Sequence, residues 1–302
     1  MTVAQINSAN GGTATLQPEK AKIGTIGLVF EPQMVRGFTL TTDFWRISMR
    51  QLIGNYGTQF ILNKCYGAAG FTQDLSFCNL VTREDSTKEV SKVIDANVNI
   101  GEQLTTGIDL GAQYSLPTDV GRFLFRFNGT YLIKNDYTGP GGIYIKGAGN
   151  YDGQGVVSAS GSTNFNPRVK FNAGVNYSLG GLSAGLVGHF IGPLTECSPQ
   201  GGTVAGSVTG PGFCYQKNGP TDDAGNPTGP PYSTHRVSHN WTFDGLVAYG
   251  LRSPVGRTTL ALGIRNIFNQ RPPRLYNAFL SYADPDYDFV GRYIYGRVEH
   301  RF

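Results

Sequence analysis

Phe123-Leu124-Phe125-Arg126-Phe127-Asn128-Gly129-Thr130-Tyr131 alternates apolar and polar residues with a period of two. In an extended chain successive side chains point to opposite faces, so Phe123, Phe125, Phe127 and Tyr131 share one face and Arg126, Asn128 and Thr130 share the other. One face suits lipid and the other suits water.

The pattern recurs on both sides of this stretch. Between Arg168 and Ser178, Val169, Phe171, Ala173, Val175 and Tyr177 alternate with Lys170, Asn172 and Asn176. Ile108, Leu110, Ala112 and Tyr114 alternate with Asp109, Gly111 and Gln113, and Trp241, Phe243, Val247 and Tyr249 with Thr242 and Asp244. Helical periodicity is hard to find. The alternation predicts about nine strands, near 21–32, 36–53, 97–116, 122–138, 166–180, 182–195, 235–252, 258–269 and 289–302. Short connections (33–35, 117–121, 180–181 and 253–256) take turns with long ones (54–96, 139–165, 196–234 and 270–288). An up-and-down sheet with tight turns at one rim and long loops at the other produces that order, as membrane-spanning β-barrels do.

Composition supports a membrane partner. Only 15% of residues are charged, against about a quarter in an average soluble domain, while 12% are aromatic and 42 are glycine. No segment approaches the ~18 apolar residues of a spanning helix, which excludes a helical membrane protein but leaves a barrel, whose strands average lipid-facing and water-facing residues. The net charge of +4 is spread without a Lys/Arg cluster, so no nucleic-acid partner is expected. The opening residues 1–10 have neither the basic start nor the apolar run of a secretory signal peptide. A chain with these features should be exported, so its natural start is expected upstream.

Cys65 and Cys78 fall in the first long connection, and Cys197 and Cys214 bracket the third. Four cysteines allow three pairings. Pairing within each loop is the most economical and puts both disulfides on one rim. A zinc site would need ligands from two distant loops without any Cys-x-x-Cys spacing.

Several strings resemble the tail of TonB-dependent outer-membrane receptors. Leu16-Gln17-Pro18-Glu19-Lys20-Ala21, followed by residues 26–32, is similar to the family's LKPEKA loop and next strand. Phe38 to Ile47 is similar to the strand after it, with Asp43 before the pair Phe44-Trp45. Asn99 to Leu110 resembles the family's N…T-x-G-x-D strand. Leu262 to Asn269, with Pro272-Pro273, resembles GxxNLFD…PP, and the chain closes with residues 291–295 and a terminal Phe302.

The resemblance covers nearly all of residues 1–302 and carries expectations of fold and function. It implies an all-β fold, a partial antiparallel up-and-down transmembrane barrel of about nine strands, the carboxy-terminal portion of a barrel of ~22. The family's plug domain and TonB box have no counterpart in these residues. An odd strand count cannot close as an antiparallel barrel, so two edges are expected to stay unpaired. The intact receptor would sit in the outer membrane of a Gram-negative bacterium and import a scarce bulky nutrient, a siderophore, cobalamin or glycan, using energy passed through TonB. Its partners would be outer-membrane lipid, the plug, the remaining strands, TonB and the barrel-assembly machinery. Ile294, Val298 and Phe302 are expected to form the outward assembly signal of the last strand, where Gly296 and His300 replace the usual larger residues. Arg126, Arg168, Lys170, Arg297 and Arg301 are expected to face the lumen, as are Asp43, Asp109 and Asp244. Rival readings are a passive outer-membrane pore or structural β-barrel protein and, behind it, a soluble carbohydrate-binding β-protein.

Other constellations read blandly. His235 and His239 are four apart on a predicted strand, two ligands without the third that catalytic zinc wants. Asp284, Asp286 and Asp288 alternate, but Pro285 interrupts them and the glycine and distal glutamate of a calcium loop are missing. Gly147 to Gly153 lacks the spacing of a dinucleotide fingerprint and reads as a flexible external loop. Neither a Gly-x-Ser-x-Gly in motif context, nor a serine with a plausible His and Asp, nor a carboxylate pair in a cleft is found, so neither enzyme activity nor a cofactor is expected.

Overall fold

A computed structural model describes residues 6–67, 72–139, 144–152, 164–198, 233–275 and 287–302. In chain order the strands are β1 (Asn7–Ala9), β2 (Lys20–Phe30), β3 (Phe38–Gly54), β4 (Val81–Arg83), β5 (Val90–Ile94) and β6 (Val98–Thr118). There follow β7 (Gly121–Thr138), β8 (Tyr144–Lys146), β9 (Asn150–Asp152), β10 (Asn164–Phe165), β11 (Val169–Leu179) and β12 (Leu182–Ile191). The last are β13 (Leu194–Ser198), β14 (Ser233–Val237), β15 (Asn240–Ser253), β16 (Gly256–Arg265) and β17 (Tyr293–Arg301). One helix, α1 (Thr58–Tyr66), and a 3-10 turn, Leu75–Leu80, lie between β3 and β4.

Nine of these strands form one sheet in the order β2-β3-β6-β7-β11-β12-β15-β16-β17, a meander in which every neighbour is antiparallel, with β8 added at the end of β7. Among the described residues β2 and β17 are the two edges. β6, with 21 residues, and β7, with 18, are far longer than the 3–10 residues of soluble strands. About 9–11 tilted residues span a bilayer, so these strands cross it and continue beyond.

Cross-strand register turns the sequence alternation into two continuous faces. Phe125 lies opposite Tyr114 and Val175, and Val175 opposite Leu186. Further round, Val247 lies opposite Leu262, and Leu260 opposite Val298. These side chains stay in the open: Ile26 and Val298 are each 73% exposed. An apolar belt that large is untenable in water and natural in lipid. Along β15, Trp241 to Leu251 is roughly 34 Å of strand at 3.4 Å per residue, or about 26 Å of height at a tilt of ~40°, which matches the ~25 Å apolar band of outer-membrane barrels.

The tight turns sit at one rim. Gly180 at φ 56° and Gly256 at φ 135° supply backbone that L side chains rarely adopt. A Cβ on Gly256 would also fall 2.2 Å from the Arg301 carbonyl oxygen.

The opposite rim is built, not loose. The helix α1, read only as loop from the sequence, packs Phe60 against Tyr56 and Phe77 at ring separations of 5.6 and 5.7 Å, and its Cys65 is bonded to Cys78. Beside it β1, β5 and β4 form a three-stranded sheet with β1 parallel to β5. The other long connections form a four-stranded sheet, β10-β9-β13-β14, over a small core of Tyr151, Phe165, Leu194, Val237, Leu275 and Tyr287. Gly147 to Asp152 is therefore packed structure, with Tyr151 buried, and not a flexible loop.

Two predicted strands are each divided. Gly192-Pro193 ends β12 before β13, because proline has no N–H to give a ladder, and Ser238-His239 separates β14 from β15. His235 and His239 consequently do not share one strand. The strand predicted to run to Asn269 stops at Arg265, where Asn266 turns the chain at φ 48°. The side chain of Cys197, and Cys214, Asp284 and Asp286, lie outside the described residues.

Candidate functional site

The polar face of the sheet forms a groove of about 800 Å³ toward the long-connection rim. β3 contributes Thr41 and Asp43, β6 contributes Asp109, β7 Asn128 and Thr130, and β11 Lys170 and Asn172. His189 of β12, Thr242 and Asp244 of β15, and Arg265 of β16 complete the floor, while Asp288 reaches in from the rim. Every one of the strand positions is the polar member of an alternating pair, so the same periodicity that makes the apolar belt makes this lining.

The groove is organised by side-chain contacts. Thr130 donates to Asp109 Oδ1 at 2.6 Å. The His189 ring lies with Nδ1 2.7 Å from Asn172 Oδ1 and Nε2 3.3 Å from Asp244 Oδ2. The other oxygen of Asp244 accepts the backbone N–H of Asn266 at 2.8 Å. Asp43 and Asp109 are direct cross-strand partners, a like-charge pair that disfavours the sheet and is left facing the groove. Asp43, Asp109 and Asp244 are thus on the polar face, as the alternation predicts. His189, in an apolar run, carried no sequence signal for this site, and Asn266 was legible only as the asparagine of the family-like string Leu262 to Asn269.

The other predicted residues divide by place. Register puts Arg126 opposite Gly174 and Gln113, Lys170 opposite Thr130, and Arg297 opposite Ala261, all on the polar face. Arg301, also on that face, pairs with Glu299 at 2.7 Å. Arg168 lies one residue before β11 and donates to the Ile133 carbonyl at 3.1 Å. Ile294 and Val298 lie on the apolar face, opposite Ile264 and Leu260. His300 stacks edge-on against the terminal Phe302 at 4.5 Å, so the position occupied by histidine continues the aromatic end. Among the described residues no group of three or more His, Cys, Asp or Glu is placed to hold a metal ion.

Two carboxylates outside the spanning sheet differ in environment. Asp95 is nearly sealed from solvent, and burial pushes its carboxyl above the usual range against the opposing pull of the Gly57 and Tyr56 N–H groups; Gly57 donates at 3.1 Å. It thereby supplies the acceptor that the start of α1 lacks, since Gly57 has no capping side chain. Asp74, at the surface, is held below the usual range by the Ser76 hydroxyl and then by the Ser76 N–H, at 2.6 and 3.0 Å.

No curated protein matches the chain. Solved structures do. The outer membrane transporter YddB from Escherichia coli superimposes with a TM-score of 0.58 at 12% identity, covering 99% of this chain and 35% of that one. The FrpB iron transporter from Neisseria meningitidis (F5-1 variant) gives 0.54 at 13%, covering 98% and 34%. The pyoverdine outer membrane receptor FpvA from Pseudomonas aeruginosa gives 0.51 at 11%, covering 96% and 31%. At these identities the likeness is one of fold, and the chain spans about a third of the length of each. The sequence itself matches the family described as TonB dependent receptor-like, beta-barrel, over residues 2–267. Receptors of that family are outer-membrane transporters that work with a plug domain and TonB. A nine-stranded meander with an apolar belt outside, a polar groove inside and structured connections at one rim agrees with that match, and the chain belongs to the TonB-dependent receptor β-barrel family.

Proposed function

We propose that the chain is the carboxy-terminal wall sector of an outer-membrane receptor that takes up a scarce bulky nutrient of the siderophore, cobalamin or glycan class with energy delivered through TonB. The observation that carries this reading is the pairing of an open, lipid-suited sheet with a polar groove beneath connections that have their own packed core. The connections capture the ligand at the outer surface. Arg126, Arg168, Lys170, Arg297 and Arg301, with Asp43, Asp109 and Asp244, face the lumen, where they meet a plug domain or the passing solute. No covalent step is involved, and a sheet with two unpaired edges does not transport by itself. Ile294, Val298 and Phe302 present the outward apolar end that the assembly machinery reads.

The test is uptake by whole cells. A ferric siderophore, cobalamin and an oligosaccharide, each radiolabelled, are offered to cells carrying the intact gene or lacking the codons for residues 1–302, with and without TonB. Loss of uptake of one ligand both on deletion and without TonB is expected. Uptake that ignores TonB would establish a passive pore instead.

A further inference from the structure

The outward face is not apolar throughout. Above the rung formed by Ile26, Phe44, Ile108 and Tyr131, the next outward-facing rung reads Gly24, Arg46, Thr106 and Lys134 across β2, β3, β6 and β7. The one above it reads Lys22, Ser48, Leu104 and Asp136, and the outermost Lys20, Arg50, Glu102 and Thr138. Five cations and two carboxylates therefore crowd one sector of the lipid-suited face, directly beyond the apolar belt and next to the long connections.

The cations are not spent on internal pairs. All five are exposed, and among the described residues only Arg50 makes an ion pair, with Glu102 at 4.0 Å. Two outward rungs below Arg46 and Lys134, the same face on the neighbouring strands is aromatic: Phe171, Phe190 and Trp241 lie ring to ring at 4.7 and 4.8 Å. Lysine and arginine stems lie along apolar surface while their heads seek the polar boundary, and a charge left in hydrocarbon is costly. These heads thus stand where the headgroups of the surrounding leaflet stand. Phosphate is the headgroup chemistry that a planar guanidinium and two ammonium groups match, through charge-assisted and bidentate hydrogen bonds.

We propose that Lys22, Arg46 and Lys134 bind the phosphate of a lipid headgroup in the outer leaflet, fixing one lipid against the β2-β3-β6-β7 sector. This rests on the membrane orientation proposed above. The protein, tagged in its own gene, is extracted from its outer membrane in mild detergent, exchanged with phosphatidic acid or with phosphate-free diacylglycerol of the same chains, and examined by native mass spectrometry for retained lipid. Retention of phosphatidic acid is expected, falling at least tenfold in Lys22→Gln/Arg46→Gln/Lys134→Gln, since each cation near an anionic surface is worth about fivefold. Restoring a cation with Lys22→Gln/Arg46→Lys/Lys134→Gln recovers part of the loss. Equal retention by wild type and triple variant, or of the two lipids, overturns the proposal while leaving the membrane reading intact. Displacement of phosphatidic acid by equimolar inorganic phosphate identifies a soluble-anion site and overturns the lipid source. Absence of the protein from the outer-membrane fraction overturns the orientation and the proposal together.

Discussion

Asp244, in the first half of β15, accepts the backbone N–H of Asn266, just beyond the end of β16, at 2.8 Å. Asn266 in turn is fully buried and closes its own turn, accepting from the Gln270 N–H and donating to the Gln270 carbonyl, both at 2.8 Å. Asn269 then accepts the N–H of Arg292 at 3.0 Å, tying the turn to the approach of β17. The Asn-Ile-Phe-Asn string is therefore a clasp between three strands. Asp244→Ala should release it, while Asp244→Asn, which still offers an oxygen, should hold. Amide exchange at Asn266 should quicken about tenfold in the alanine variant, the ~1.4 kcal/mol of one hydrogen bond to a charged group. Unchanged exchange would mean that the turn holds itself.

Trp45 lies flat over Gly107 on the polar face, and a Cβ there would fall 2.4 Å from the indole. Gly107→Val should force the ring aside and cost about 1–3 kcal/mol, as overpacking does. The chain has two tryptophans. In a Trp241→Phe background the emission reports Trp45 alone, and a shifted spectrum should accompany the loss of stability.

The Cys65–Cys78 bond closes a loop of sequence separation 13 around α1 and the 3-10 turn. Constraint of such a loop is worth about 3 kcal/mol. Reduction, or Cys65→Ser/Cys78→Ser, should abolish exchange protection in α1 and leave that of β6 and β7 unchanged, because the disulfide touches the rim and not the sheet. A sheet that loosens together with α1 would show the two to be one cooperative unit.

Asp95 gives the rim a pH dependence. Its folded carboxyl is raised by burial, so the folded state binds its proton more tightly than the unfolded state. The sign follows: its contribution favours folding below the ordinary value of about 3.9 and is lost as pH rises through the folded value. Asp74, held low, acts in the opposite direction. The difference between wild type and Asp95→Asn isolates the first effect. Urea unfolding of the rim, followed by the ring resonances of Tyr56 and Phe60, should show the asparagine variant gaining relative stability as pH increases from 4 to 7. A difference that does not vary with pH would remove Asp95 from the account.

The nine long strands were legible because lipid on one side and water on the other impose a strict two-residue alternation over ten or more residues. Turn chemistry was legible for the same reason, as at Gly180-Gly181. The rim was not. The helix α1 has no acidic first turn and no capping side chain at Gly57, so nothing local announces it; its start is completed by Asp95, 38 residues away. The breaks at Gly192-Pro193 and Ser238-His239 were hidden because the flanking alternation runs on through them. In the groove, Asp43, Asp109 and Asp244 could be placed by parity alone, whereas the contact of His189 with Asp244 depends on the register between β12 and β15.

The small core at the rim draws Tyr151 and Phe165 from one connection, Leu194 and Val237 from the next, and Leu275 and Tyr287 from a third. No connection can bury its own apolar residues without the other two. Exchange of a single loop between homologues strands the partners left behind, while exchange of the whole stretch from 139 to 288 keeps the set. Under the function proposed above, the three connections are expected to change together, as one block, rather than singly.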